Sequence, residues 1–170
     1  MNRINFIPII KGHLKTLRSL NQTKKGIYWV DGLVFFVIPM LISWYLAYLN
    51  ISLKDIAGDL IKAIAIFAAF LFNLLAIIYN TIKELRQDST ISEIRKIYVD
   101  EIHSNISFNI LTAVFLILFL VSYKLTKGEE LLFKLAEGFQ LWVVYFLMML
   151  FILTLLMNLR RIYILMNTNE

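Results

Sequence analysis

The sequence predicts an all-α fold: a transmembrane four-helix protein with an amphipathic N-terminal helix and a short cytoplasmic helical hairpin. Three observations predict it. Apolar residues make up 59% of the 170-residue chain and charged residues only 17%, with a mean hydropathy of +0.72. A soluble fold, in which about half of the residues are apolar, could not hide that much apolar surface behind so little polar surface. The apolar residues also gather into four runs, at about 32–49, 63–79, 106–123 and 141–157. Each run suits a hydrocarbon core of ~30 Å at ~1.5 Å per helical residue. Finally, none of the runs alternates in polarity as a barrel strand does, and backbone groups in hydrocarbon must be satisfied within their own segment. Helices remain.

The elements follow in order. Residues 1–30 are read as a cytoplasmic basic segment, and 31–170 as the transmembrane domain. In the segment, Lys11, Lys15 and Arg18 recur at helical spacing as one basic ridge, beside an apolar ridge of Ile10, Leu14 and Leu17. Lys24 and Lys25 follow. The pattern is that of a cationic helix lying against the inner leaflet, where each basic side chain contributes about 1 kcal/mol. Two ligands suit such a ridge: anionic lipid, or a soluble polyanion such as a nucleotide or oligonucleotide held by phosphate neutralisation.

Span one opens after Asp31, closes at Asn50 and contains Pro39, which removes an amide and strains the carbonyl a turn earlier. Pro39 is a kink that sets shape or serves as a gating hinge. No cleavable signal peptide is expected, because the first apolar run starts only after about thirty residues and no small-residue cleavage site follows it. Span two is expected to continue through Ile82, Lys83, Glu84 and Leu85. A capping box at Thr90-Ile91-Ser92-Glu93 starts the helix that runs into span three. Together these form a cytoplasmic hairpin at about 80–105.

Basic residues orient the spans. Arg3, Lys11, Lys15, Arg18, Lys24, Lys25, Lys83, Arg86, Arg95, Lys96, Arg160 and Arg161 fall on one side. Only Lys54, Lys62, Lys124, Lys127 and Lys134 fall on the other. Both termini and the central loop are therefore expected in the cytoplasm, with the protein in the cell (inner) membrane. Tyr28, Trp29, Tyr79 and Tyr163 then mark the inner boundary, and Tyr48, Tyr123 and Trp142 the outer one.

Catalytic and metal chemistry find little to work with. There is no cysteine, which removes disulfides, thiol nucleophiles and thiolate sites. The two histidines, His13 and His103, read as surface or capping residues, with no second ligand one turn away. Neither a phosphate-binding glycine loop nor a nucleophile elbow is present. Asp100 and Glu101 are adjacent, so their side chains diverge on a helix and read as solvated. Asp55 and Asp59 sit beside Lys54 and Lys62, which neutralise them locally. The expectation is a protein without enzyme activity, cofactor or metal.

No Asp, Glu, Lys, Arg or His lies within the four runs as drawn, but uncharged polar residues do. Asp59, Lys62, Ile66, Ala69, Asn73, Ile77, Asn80 and Glu84 share one face of span two, with Asn73 at mid-membrane. Asn105, Asn109 and Thr112 share a face of span three, and Thr154 and Asn158 one of span four. Two readings stand side by side: interhelical hydrogen bonds worth ~0.6–2 kcal/mol each, or a water-lined cytoplasmic half-pore. A single four-helix bundle fills its own core, so conduction would require a symmetric homo-oligomer. The pore-lining candidates are Ile66, Ala69, Asn73, Ile77 and Asn80.

The layout runs from Leu14-Lys15-Thr16-Leu17 through Trp29-Val30-Asp31 to Leu159-Arg160-Arg161-Ile162-Tyr163. In this layout the chain resembles the small four-span membrane effectors of bacterial anti-phage defence, nearest the Hailong-type effectors. The resemblance implies a tetrameric ion channel held closed by single-stranded DNA oligomers. It further implies that opening depolarises the infected cell and that the basic ridge helps hold the oligonucleotide. The competing readings are a holin-like or toxin-like pore former, a non-conducting scaffold subunit of a membrane complex, and a lipid-binding structural protein.

Overall fold

A computed structural model describes residues 5–19, 32–87, 93–126 and 131–167, all of them helical or in short connections. Five helices follow one another: α1 (Ile7–Ser19), α2 (Ile38–Tyr48), α3 (Ala57–Gln87), α4 (Glu93–Leu125) and α5 (Leu131–Asn167). A π-helical turn, Leu33–Val37, leads into α2. Three stretches are long and apolar enough to cross a membrane: Ala57–Lys83, Lys96–Leu125 and Phe133–Ile164. They make the chain a multi-pass α-helical membrane protein. The first apolar run differs from these. Its helical part, Leu33–Tyr48, is shorter than the other three, at roughly 24 Å against a core of ~30 Å.

Pro39 sets the local form of this run. It has no N–H to give, and its ring crowds the carbonyl four residues back. The chain widens into a π turn immediately before it, and Pro39 then occupies the first turn of α2, where its missing donor is cheap. Ser43 donates its hydroxyl to the Pro39 carbonyl, and both residues are buried. At the other end Asn50 adopts φ 52°, the left-handed conformation that closes a helix.

α4 is the central element. It packs against α1, α3 and α5, while α2 lies against α5. Half of the most apolar window of α4 is buried, against 17% for α3, so α3 is the peripheral helix. On α3 the inward residues are Ala57, Ile64, Leu71 and Ile78, with Ile61, Ala68, Leu75 and Ile82 between them. That is a heptad seam, packed against a face of α4 carrying Ile102, Ile106, Ile110 and Ala113. The extensions beyond spans two and three are as expected, α3 running to Gln87 and α4 starting at Glu93. The capping residues Thr90, Ile91 and Ser92 lie outside the described residues, as do Tyr28, Trp29 and Asp31.

The end of the bundle carrying residues 49–57 and 125–131 is tied by polar contacts. Tyr145 donates its hydroxyl to the Ile51 carbonyl at 2.9 Å, and Ser52 Oγ lies 3.2 Å from Tyr123 Oη. Lys54 pairs with Glu137 at 2.7 Å and sits over the Tyr123 ring. Gln140 bridges Ser122 and Thr126. Tyr123 is thus a buried core residue rather than a boundary anchor. Lys62 pairs with Asp59 at 3.0 Å, as local neutralisation predicts, whereas Lys54 turns to Glu137.

Candidate functional site

At the opposite, basic end, α1 occupies a groove on α4 that α5 reaches from one side. The helix starts cleanly: the Asn5 side-chain oxygen accepts the Ile7 N–H at 3.0 Å, and Pro8 falls in the first turn. Gly12, His13, Thr16 and Leu17 turn toward the protein, while Ile7, Ile10, Lys11, Leu14 and Lys15 are exposed. A Cβ at Gly12 would sit 3.3 Å from Ser104 Oγ, so the absent side chain lets the two backbones approach.

The direction of α1 was not legible from its charge pattern. Thr16 meets Asn105, His13 meets Phe108, and Phe6 packs edge-on against Phe115 with ring centroids 6.2 Å apart. α1 therefore runs antiparallel to α4, and Phe6 reaches about 15 Å beyond the level of Asn105. Instead of lying flat on a leaflet, α1 stands along the central helix. Of its expected apolar ridge, only Leu17 is buried against the protein; Ile10 and Leu14 face outward.

The seat beneath α1 is polar. His13 is fully buried, stacked on Phe108 with centroids 3.9 Å apart and planes 1° from parallel. Phe35 of the π turn stands edge-on to it. His13 Nδ1 lies 2.8 Å from Asn105 Oδ1. An amide oxygen only accepts, so Nδ1 carries the proton and Nε2 is left as a buried lone pair. Burial pushes the imidazole down from 6.5 to about 4, the Asn105 bond opposes this, and the Arg161 charge adds to it. His13 is neutral at pH 7. Thr16 Oγ1 lies 2.7 Å from the His13 carbonyl and 2.8 Å from Asn105 Oδ1, and its single proton serves one of them at a time.

Arg161 of α5 crosses to α1. Its Nη2 donates to the Thr16 carbonyl at 3.0 Å, and Nη1 faces Glu101 Oε2 at 3.3 Å, with both side chains nearly buried. The Thr16 carbonyl belongs to the last turn of α1, where acceptors lack partners and a cation is favourable. Farther along the two helices lie buried Asn109 and Thr112 on α4 and Thr154 and Asn158 on α5. The two threonines bond to their own helices, Thr112 to Phe108 O and Thr154 to Leu150 O. Among the described residues, every buried side-chain polar atom without a hydrogen bond lies on α1, α4 or α5: His13 Nε2, Glu101 Oε1, Asn105 Nδ2, Arg161 Nε and Nη1, and both ends of Asn109 and Asn158. Chemically, the arrangement can hold or release a helix by hydrogen bonds, and it can accept polar guests.

The residues singled out in the sequence are distributed as follows. Lys11 and Lys15 are exposed on α1; the Arg18 side chain, Lys24 and Lys25 lie outside the described residues. Ile66, Ala69, Asn73, Ile77 and Asn80 are all exposed on α3, and Pro39 is buried at the start of α2. Asn105, Asn109, Thr112, Thr154 and Asn158 are all buried. Three members were missed. His13 is core rather than boundary, Glu101 is buried and paired rather than solvated, and Arg161 holds α1 as well as marking a boundary. A signal existed: Glu101, Asn105, Asn109 and Thr112 continue one stripe, and Thr154, Asn158 and Arg161 another, each one turn longer than its uncharged part.

Fold and site together define a class, a multi-pass helical membrane protein with a short N-terminal helix seated on a buried polar cluster. Compared with family models, curated proteins and solved structures, the chain matches none.

Proposed function

We propose that the chain is the subunit of an oligomeric membrane channel whose pore is lined by the outward face of α3 and whose state is set by α1. The observation that carries this reading is the position of Asn73. It lies on the face opposite the heptad seam of α3, exposed in the apolar middle of that helix together with Ala69 and, a turn or two on, Asn80. An amide left against hydrocarbon costs several kcal/mol, and another subunit or a column of water removes that cost. In this reading Leu33–Tyr48 makes the fourth and shortest crossing. The basic end then lies in the cytoplasm, by the excess of lysine and arginine there.

The resemblance to anti-phage effectors extends the proposal. The channel would be an inner-membrane effector, tetrameric, without enzymatic chemistry, and gated by a single-stranded oligonucleotide. Exposed Lys11 and Lys15 on α1 support a polyanion there. The test begins with purified full-length protein in nanodiscs, where an oligomer is expected. In planar bilayers it should pass current, and Asn73→Leu should reduce conductance. A monomer, or silence with and without oligonucleotide, would sink the channel and leave a scaffold subunit. Equal oligonucleotide binding by wild type and by Lys11→Ala/Lys15→Ala/Arg18→Ala would remove the ridge from gating.

A further inference from the structure

The polar seat has an open side that the channel reading does not use. Between α1 and α4 lies a groove of about 200 Å³, lined by Gly12, Lys15 and Thr16 on one wall and Ile97, Asp100, Glu101 and Ser104 on the other. Its walls carry both charges. Lys15 and Asp100 are exposed at the rim, whereas Glu101 is buried to more than nine-tenths. One oxygen of Glu101, Oε2, faces Arg161; the other, Oε1, is buried without a hydrogen bond. A buried carboxylate oxygen is costly unless it receives a donor. The groove also has a defined height on the helix. It ends two residues before Ile106, where the apolar run of α4 begins, so in a bilayer it opens at the headgroup layer.

We propose that this groove binds a compact zwitterion bearing a primary ammonium and a phosphate, of which the ethanolamine headgroup of a phospholipid is the membrane-borne form. The ammonium donates to the Glu101 carboxylate once that side chain turns Oε1, closed to solvent in the seated state, toward the groove. The phosphate pairs with Lys15 and takes hydrogen bonds from the Ser104 and Thr16 hydroxyls when these are free to turn. The volume suits such a group, since at about 30 Å³ per water the groove holds the equivalent of roughly six or seven waters. Discrimination follows from the lone Glu101 oxygen. It needs an N–H donor, which ethanolamine has and the trimethylated ammonium of choline lacks. A purely anionic glycerol headgroup would bring its phosphate to Lys15 but leave Glu101 unanswered. Gly12 keeps the wall open, because any side chain there would meet Ser104. This site depends on the chain lying in a membrane and is independent of whether it conducts.

The test uses the full chain in detergent, titrated with short-chain phosphatidylethanolamine, phosphatidylcholine and phosphatidylglycerol, with binding read by native mass spectrometry. Wild type should prefer the ethanolamine lipid to the choline lipid by about tenfold or more, one hydrogen bond to a charged group being worth about 1.5–3 kcal/mol. Lys15→Glu, an exposed substitution that leaves the seat intact, should weaken ethanolamine lipid by a similar factor. Glu101→Gln should bring the two lipids level while phosphate-dependent binding persists. Should that variant fail to fold, Ser104→Leu, which fills the groove from the other wall, should abolish the preference instead. Competition with free phosphoethanolamine identifies the source. Displacement of lipid at equal concentration means a soluble zwitterion is the ligand, and weak displacement means the lipid is. Equal binding of the three lipids by wild type, or ethanolamine-lipid binding undiminished by Lys15→Glu, would overturn the site.

Discussion

The two ends of the bundle are held in opposite ways. At the end with residues 49–57 and 125–131, polar groups are partly exposed and paired: Tyr145 to Ile51, Ser52 to Tyr123, Lys54 to Glu137, Gln140 to Thr126 and Ser122. At the basic end they are buried, and several of them lack hydrogen bonds: His13 Nε2, Glu101 Oε1, Asn105 Nδ2 and Arg161 Nε. The first arrangement fastens two connections with small, independent ties. The second places charge, amide and imidazole under one short helix held by α4, by Arg161 of α5 and by Phe35 of the π turn. Local opening favours the region whose polar groups gain most from water. The difference therefore points to α1 as the part of the molecule able to change state, with the far end as its fixed frame.

The sharpest way to break this comparison is Arg161→Leu. It removes the donor to the Thr16 carbonyl and leaves Glu101 buried without its cation, an uncompensated charge that costs about 3–5 kcal/mol. Hydrogen exchange should show α1 amides opening long before those of α4. The double variant Arg161→Leu/Glu101→Leu should recover much of the loss, because the orphaned charge goes with it. If the single variant leaves α1 as protected as in wild type, the seat is not what holds the helix.

Acid should come next. His13 sits at about 4 when seated, against 6.5 when released. Above pH 6.5 both states are neutral and the difference contributes nothing. As pH falls from 6.5 toward 4, the released helix takes up a proton that the seated one refuses, so the seat weakens by up to about 3 kcal/mol. Arg161, which also disfavours the imidazolium, and Glu101, which pairs with Arg161, are the charged groups of the same cluster. Exchange of α1 amides should accelerate over that window in wild type, and His13→Gln should flatten the response. An equal response in both proteins would place the titrating group elsewhere.

How much of this was readable beforehand differs between the same two regions. The long helices were readable because apolar runs report lipid-compatible length directly, and the α3 seam because Ala57, Ile64, Leu71 and Ile78 recur every seven residues. The buried polar faces of α4 and α5 were readable in Asn105, Asn109, Thr112, Thr154 and Asn158, whose spacing groups them on helix faces. What hid Glu101 and Arg161 was their position at the ends of apolar runs, and what hid His13 was its place in a basic segment, where charge ordinarily means water. Only a partner brought from elsewhere in the chain makes such groups internal. The partner is α1, and its direction depends on shape, on Gly12 meeting Ser104 and Phe6 meeting Phe115, which no one-dimensional period records.

The far end should yield smaller effects, and they should stay local. Tyr145→Phe deletes one hydrogen bond to the Ile51 carbonyl, an acceptor on an exposed residue that water can serve in its place, so about 1 kcal/mol or less is expected. Lys54→Ala is the smallest. Its pair with Glu137 is about one-third exposed on each side, where ion pairs contribute ~0.2–1 kcal/mol, and the stem also covers the Tyr123 ring. Both variants should shift thermal unfolding by a few degrees at most while leaving α1 exchange and its acid response unchanged. That silence is the informative part. If Lys54→Ala loosened α1, the two ends would be coupled through the length of α4 and α5, and the far end would belong to the switch instead of framing it.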